Sequence, residues 1–405
     1  MSFARLSATT SQGALLLLVL LISACSQALP VNSAKKQTAS TELTIGAAQL
    51  DLYLPLLANK RVGLLVNQTA IVNDLHLVDL LLQQNINIET IFAPEHGFRG
   101  NYDAGAQVNN SIDSKTGLKI VSLYGANKAP TPTQLANIDV LVFDIQDVGV
   151  RYYTYISSLH YFMQAAATAK IPLLVLDRPN PNAAFIDGPV LDLAYQSFVG
   201  MHPIPLLHGM TVGELALMIK GEAWIEQADN LQLTVIPLAN YRRDMAYSLP
   251  VKPSPNLPND QAIALYPSLG FFEATPLSIG RGTDFPFQVI GYDKFSLANF
   301  SFTPVSTPGA ALTPPLMNTP VLGQDLRQVH SQGLNLSYLI NWYQLFKQHN
   351  AVFFSSASFM DKLAGTNKLR LQIEQGLSEE QIKQSWQADL IHFKQQRQPY
   401  LLYAE

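Results

Sequence analysis

The sequence predicts an α/β protein: a Rossmann-like domain built on an open parallel sheet, followed by a smaller α+β domain at the C-terminus. Two observations predict it. In the first half of the chain, short unbroken apolar runs rich in Val, Leu and Ile alternate with amphipathic stretches. Strands that read as continuous apolar runs are buried on both faces, which happens when helices cover a parallel sheet from both sides. Beyond about residue 285 the texture changes, with Pro, Ser and Thr accumulating from Phe302 to Pro320. The expected boundary therefore separates residues 45–284 from a second unit over residues 285–405.

Taken in order, Arg61-Val-Gly-Leu-Leu-Val66 is the first strand, ending at Asn67. Leu75, Val78, Leu81 and Leu82 then fall on one face of a helix. Ile88 to Phe92 and Ile120 to Leu123 are the second and third strands. Val140 to Phe143 and Leu173 to Leu176 are the fourth and fifth, with a helix from Ile156 to Ala169 between them. Thr211-Val-Gly-Glu214 has the pattern of a capping box, in which the threonine hydroxyl and the glutamate carboxylate each accept a free N–H of the first turn. A helix starts there, and Leu233 to Ile236 is a further strand. The prolines of Lys252-Pro-Ser-Pro-Asn-Leu-Pro258 exclude a regular helix or a central strand, because proline has no N–H to donate. The C-terminal stretch reads as helices ending in Tyr400-Leu-Leu-Tyr403. No G-x-G-x-x-G follows a strand and no P-loop is present, so the sheet carries no nucleotide fingerprint.

The N-terminus carries a different kind of information. Arg5 precedes an unbroken apolar run from Ala14 to Ile22. That is too short for a permanent spanning helix, which takes roughly 20 residues, and suits the core of a secretory signal. The run ends in Leu21-Ile-Ser-Ala-Cys25, which resembles the lipobox read by lipoprotein signal peptidase, and Cys25 is the only cysteine in the chain. The expectation is a signal peptide over residues 1–24, a diacylglycerol on the Cys25 sulfur and a polar tether over residues 25–44. Ser26 after the cysteine implies, by the same resemblance, an envelope protein anchored in the outer membrane and facing the periplasm. A plain secretory signal ending near a cysteine is the alternative. A lone cysteine excludes an internal disulfide and a cysteine-based zinc site. The formal net charge of −4, without a basic cluster, argues against a nucleic-acid partner.

Ligands of open parallel sheets bind in the loops at the carboxyl ends of the strands. Four polar segments fall there: Asn67-Gln68-Thr69, Pro94-Glu95-His96-Gly97, Asp144-Ile-Gln146-Asp147 and Asp177-Arg178-Pro-Asn180. Their convergence indicates a binding site. Glu95, in a short loop stiffened by Pro94, is the candidate acid or base; its alternative is a salt bridge to Arg99 or Arg151. His96 orients Glu95, binds substrate or ligates a metal. No H-x-x-x-H pair accompanies it, so no metal is expected, and nothing calls for a cofactor. Asp144 and Asp147 are a second carboxylate pair, available for catalysis or for holding Arg151 or Arg178. The aromatic run Arg151-Tyr-Tyr153-Thr-Tyr155 suits stacking on a sugar ring, or a helix start that packs its tyrosines inward. In Gly280-Arg281-Gly282-Thr283 the glycines allow close approach of backbone to a ligand, and a guanidinium reads a carboxylate through two bonds.

Longer motifs at these positions resemble one family. Asn67-Gln-Thr, Pro94-Glu-His-Gly-Phe-Arg-Gly100, Ser122-Leu-Tyr-Gly125, Phe143-Asp-Ile-Gln-Asp-Val-Gly-Val-Arg-Tyr-Tyr-Thr-Tyr155, Leu176-Asp-Arg-Pro-Asn-Pro181, His208-Gly-Met-Thr211, Pro253-Ser-Pro-Asn256 and Gly280-Arg-Gly-Thr283 are similar to those of the exo-β-N-acetylmuramidase (NamZ/YbbC-like) family. The similarity runs from about residue 45 to residue 403. It implies a peptidoglycan-recycling glycosidase that releases N-acetylmuramic acid from non-reducing ends and uses no cofactor. It maps the proposed catalytic acid onto Glu95 and implies a cleft lined by His96, Asp144, Gln146, Asp147, Arg151, Asp177, Arg178, Asn180 and Arg281. Asn67 and Tyr153 complete the candidate substrate-binding set. One departure stands out: Ser278-Ile279 occupies the place where a glutamate often precedes the Gly-Arg-Gly. With Glu95 as acid, glycoside hydrolysis still needs a second group, and Asp144, Asp147 or the substrate's own N-acetyl group is available for it. The lactyl carboxylate of N-acetylmuramic acid suits Arg281 or Arg178. Two other classes compete: a muropeptide-binding lipoprotein that does not cut, and an envelope amidase or esterase. The second lacks a G-x-S-x-G elbow and any zinc-ligand pattern.

Overall fold

A seven-stranded sheet organises the chain, which the computed structural model describes over residues 42–99 and 111–404. In chain order the strands of the first half are β1 (Arg61–Val66), β2 (Ile71–Val72), β3 (Leu75–His76), β4 (Asn87–Ala93), β5 (Ser111–Ile112), β6 (Lys119–Ser122), β7 (Val140–Asp144), β8 (Leu173–Leu176) and β9 (Leu233–Ile236). β2 and β3 form a small separate hairpin. The rest make one sheet in the order β5-β6-β4-β1-β7-β8-β9. Every pairing in it is parallel except that of the edge strand β5 with β6.

Central β1 pairs Leu64 with Ile91 of β4 and with Val142 of β7. Successive side chains of a strand point to opposite faces. Leu64, Val66, Val142, Leu174 and Leu176 enter one core, and Leu65, Leu141, Phe143, Leu173 and Val175 enter the other. Both cores are closed by helices, which is why these strands are apolar without interruption. Tyr53 and Leu57 of α1 (Leu50–Leu57) and Leu77, Val78 and Leu81 of α2 (Leu77–Gln83) cover the first face. Leu135 of α3 (Pro132–Leu135), Ile156, Leu159 and Phe162 of α4 (Tyr155–Ala169), and Leu215 and Ile219 of α5 (Val212–Gly221) cover the second.

Helix α2 starts two residues later than the periodicity predicts. Asn73 and Asp74 both take left-handed φ values (47° and 66°), the conformation of a tight hairpin turn, so Leu75 pairs in β3 and His76 caps the helix. Its Nδ1 accepts from Val78 N at 3.2 Å. The capping box at α5 forms as read: Glu214 N donates to Thr211 Oγ1 (3.3 Å) and Thr211 N to Glu214 Oε2 (3.0 Å).

The later part of the chain holds α6 (Asp260–Leu269), the antiparallel sheet β10-β12-β11 made of β10 (Val289–Tyr292), β11 (Phe300–Phe302) and β12 (Val321–Asp325), and the helices α7 (Ser337–Gln348), α8 (Ala357–Ala364), α9 (Lys368–Glu374), α10 (Glu379–Gln384) and α11 (Gln387–Arg397). This is the smaller α+β region that the sequence predicts. Its Tyr292, Trp342, Phe346 and Trp386 belong to the same hydrophobic core as Phe143 and Phe162. Among the described residues, no helix is long and apolar enough to cross a membrane. The expected signal peptide, Cys25 and the tether up to residue 41 lie outside the described residues. Thr44 is paired with Ala239 through two backbone hydrogen bonds of 3.0 and 2.9 Å.

Candidate active site

Strand β4 delivers Pro94 and Glu95 to the carboxyl edge of the sheet. The chain then reverses, with Gly97 N donating to Pro94 O at 3.0 Å. His96 (φ 68°) and Gly97 (φ 77°) are both left-handed. A non-glycine residue there is strained, and such strain is concentrated at functional sites. The turn leaves the Glu95 carboxylate between two hydroxyls: Tyr124 Oη donates to Oε1 at 2.9 Å and Thr154 Oγ1 to Oε2 at 3.2 Å. Tyr124 follows β6, and Thr154 lies after β7 at the start of α4, where Tyr155 Oη donates to the Glu95 carbonyl at 3.4 Å. Three strand ends thus meet at one carboxylate.

Glu95 and His96 line a cavity of about 280 Å³ together with Tyr124, Tyr153, Thr154 and Tyr155. On its other side stand Tyr266, Glu273, Arg281 and Phe287. A run of edge-on rings joins the two sides, with centroid distances of 5.0 Å for Tyr155–Tyr153, 6.0 Å for Tyr153–Tyr266 and 4.9 Å for Tyr266–Phe287. The Arg281 guanidinium lies 5.0 Å over the Phe287 ring and is ion-paired to Glu273. The proline loop borders the same space. The Pro253 carbonyl accepts from Tyr153 Oη (2.8 Å) and Gln68 Nε2 (3.0 Å).

The glycines around Arg281 do something other than admit a ligand. Gly280 and Gly282 have φ of 80° and 81°, and a Cβ on Gly282 would stand 2.4 Å from the Val305 carbonyl oxygen. They are needed for the turn and its close backbone packing.

Of the residues singled out in the sequence, the structure gathers Glu95, His96, Tyr153 and Arg281 around this cavity. The others do not line it, and each is engaged within the protein. Buried Asp144 holds buried Arg178 through bonds of 2.5 and 2.9 Å. Asp177 accepts from Tyr403 Oη (2.5 Å), Thr211 Oγ1 (2.7 Å) and Gly213 N (2.8 Å). Burial pushes its carboxyl up to about 7 against the pull of those donors. Arg151 donates to four carbonyls, those of Pro189, Ile204, Leu363 and Ala364, and burial draws its guanidinium down to about 9. Asn180 donates to Met210 O and accepts from Asn182 N, while Gln146 donates to Asp147 O and Pro179 O. Asn67 Oδ1 accepts from Thr69 N and Oγ1. Asp147 Oδ2 accepts from Gly149 N at 2.6 Å, while Oδ1 is buried with no hydrogen-bond partner among the described residues. Burial pushes this carboxyl up to about 7, with the N–H groups of Gly149 and Val148 opposing.

Among the lining residues that sequence reasoning missed as site residues are Tyr124, Thr154 and Glu273. The first two lie inside motifs that were visible, Ser122-Leu-Tyr-Gly125 and Arg151-Tyr-Tyr-Thr-Tyr155. Glu273 has no local signal, because it reaches Arg281 from a one-turn 3-10 helix, Gly270–Ala274.

An open parallel sheet whose strand-end loops hold a carboxylate between hydroxyls, facing a second carboxylate, an arginine and aromatic rings, defines the class: an α/β protein with a cleft built for acid–base work on a sugar-sized ligand. Family models described as the N-terminal and C-terminal parts of the exo-β-N-acetylmuramidase NamZ match residues 62–261 and 264–403. The chain is 40% identical over 375 residues to the peptidoglycan β-N-acetylmuramidase NamZ of Bacillus subtilis (strain 168), covering 87% of this chain and 89% of that one. It is also similar to crystal structures of two DUF1343 family proteins from Bacteroides fragilis. Their TM-scores are 0.83 and 0.76 and their identities 46% and 29%; each match covers 90% of this chain, with 99% and 100% of the respective partner. The chain belongs to the exo-β-N-acetylmuramidase family.

Proposed function

We propose that this protein is an exo-acting glycoside hydrolase that releases N-acetylmuramic acid from the non-reducing end of peptidoglycan fragments, with Glu95 as its general acid. One observation carries the assignment: Glu95 stands between the Tyr124 and Thr154 hydroxyls in the cavity that also holds Arg281. A hydroxyl both donates and accepts, so the two neighbours hold the Glu95 side chain in one orientation whether or not it carries a proton. The proton passes to the glycosidic oxygen as the bond to the muramic C1 breaks, and the departing sugar keeps the bonding electron pair. The aromatic run provides a face for the sugar ring, and Arg281 pairs with the lactyl carboxylate. Asp144 is committed to Arg178 and Asp147 lies off the cavity lining, so the second role falls to the substrate's own N-acetyl group or to Glu273. Pockets that engulf drug-sized ligands begin at about 300 Å³, so a cavity of about 280 Å³ suits one terminal sugar, which supports exo action.

The test uses two disaccharides, one with N-acetylmuramic acid at its non-reducing end and one with it at the reducing end. Mass spectrometry should find free N-acetylmuramic acid and N-acetylglucosamine from the first alone. Equal cleavage of both would sink the assignment to the muramyl bond. The apolar run ending in Leu21-Ile-Ser-Ala-Cys25 supports lipid anchoring through Cys25 in the cell envelope, at the periplasmic side of the outer membrane. Palmitate labelling that persists in Cys25→Ala would remove that part of the proposal.

A further inference from the structure

Arg281 is the one arginine among the described residues lining the cavity, and no lysine accompanies it. It is not left bare. Glu273, which lines the same cavity, accepts a hydrogen bond from its Nη2. The two partners differ in how firmly they are held. Arg281 sits between two left-handed glycines in a turn fixed by backbone bonds from Val305 N to Gly282 O (2.9 Å) and from Phe287 N to Ile279 O (2.7 Å). Its guanidinium rests on Phe287. The Glu273 carboxylate has Arg281 as its hydrogen-bonding partner and no other among the described residues, and its side chain is 27% exposed. The cation is held by its turn and by a ring, whereas among the described residues the anion is held by the cation alone.

We propose that Glu273 is a built-in stand-in for the substrate's carboxylate. In the empty cleft it occupies Arg281, and the lactyl carboxylate of an incoming N-acetylmuramic acid residue displaces it; this rests on the muramidase reading given above. The exchange replaces one charge-assisted carboxylate contact with another on the same guanidinium, so little is lost in making it. Partly exposed ion pairs are weak, which keeps displacement within reach of ordinary binding energy. A neutral sugar brings nothing that displaces a carboxylate from a guanidinium. It therefore meets a closed pair and gains nothing from Arg281, and specificity arises from that missing gain. On this account Arg281 reads the carboxylate and sets the specificity, and Glu273, which occupies it, sets how tightly the acid is held.

Calorimetric titration of the protein with N-acetylmuramic acid and with its methyl ester tests this, for the parent, Glu273→Gln and Arg281→Met. The parent should bind the acid more tightly than the ester. Glu273→Gln should tighten binding of the acid about fivefold, since no carboxylate competes, and leave the ester unchanged. Arg281→Met should bind acid and ester alike. The proposal is overturned if Glu273→Gln, with an unchanged thermal midpoint, binds the acid no better than the parent. Should Glu273→Gln lose stability, Glu273→Asp, one methylene shorter, must show the same tightening, and its absence overturns the proposal equally. A parent that binds neither compound counts against the muramidase reading itself, whereas a parent that binds both equally counts against the exchange alone.

Discussion

Asp144 and Glu95 both stand at the carboxyl edge of the same sheet, one closing β7 and the other following β4, and their surroundings are opposite. Asp144 is fully buried and takes both its bonds from the Arg178 fork. Glu95 is half-buried and accepts from the hydroxyls of Tyr124 and Thr154. A buried charge persists only when its partner is permanent, so Asp144 has no coordination left to offer a ligand. A carboxylate held by hydroxyls can gain or lose a proton without losing its neighbours. Arg151, which is spent on four carbonyls, differs in the same way from Arg281, whose partner is the partly exposed Glu273. Charge type does not mark the site; the kind of partner does.

The largest effect expected is on stability. Asp144→Ala leaves the buried Arg178 guanidinium unpaired and should cost about 3–5 kcal/mol in urea unfolding. The double change Asp144→Leu with Arg178→Met should recover much of that, because no uncompensated charge remains. A double variant as unstable as the single would give the pair a role beyond charge compensation.

Tyr124→Phe belongs to the other side of the comparison. Losing one hydrogen bond to a charged group should lower kcat roughly tenfold with the thermal midpoint little changed. An unaltered kcat would show that the Tyr124 hydroxyl does not position Glu95.

A smaller effect sharpens the buried side. Burial raises the Asp147 carboxyl from its ordinary 3.8 to about 7 in the folded protein. Between those values the native state keeps a proton that the unfolded chain has released. Stability from this group is therefore full below about 4 and lost as pH rises to about 7. Asp177 shares that window. His160 and His208, drawn down by burial to about 4 and about 3, act in the opposite sense, their contribution falling as pH drops below 6.5. Only the difference between parent and Asp147→Asn isolates the effect: the variant should lose less thermal stability between pH 5 and pH 7.5. Parallel curves would contradict a protonated Asp147.

What the sequence made legible follows the range of each interaction. Strands β1, β7 and β8 are announced by apolar runs, β4 and β9 by apolar β-rich stretches, and helix α5 by a capping box, signals contained within a few residues. The β2–β3 hairpin is missed because Leu75 also fits a helical face, and only the left-handed Asn73 and Asp74 decide otherwise. The edge strand β5, two exposed residues long, has no apolar pattern to read. In the site, Glu95, His96, Tyr153 and Arg281 stand in recognisable loops. The bonds that engage Asp144 and Arg151 reach partners 34 and 38 to 213 residues away, and Glu273 meets Arg281 only through the turn between them. Those pairings exist only in the folded chain, so polar residues of both kinds look alike in the sequence.

Glu95→Gln, run beside the parent on the disaccharide with N-acetylmuramic acid at its non-reducing end, tests the central claim most directly. Free N-acetylmuramic acid should appear with the parent and fall by about 10²–10⁴ in the variant, with the thermal midpoint unchanged. A variant that releases the sugar at the parent's rate would contradict the account, and the search for the acid would then move to the other carboxylate of the cleft, Glu273.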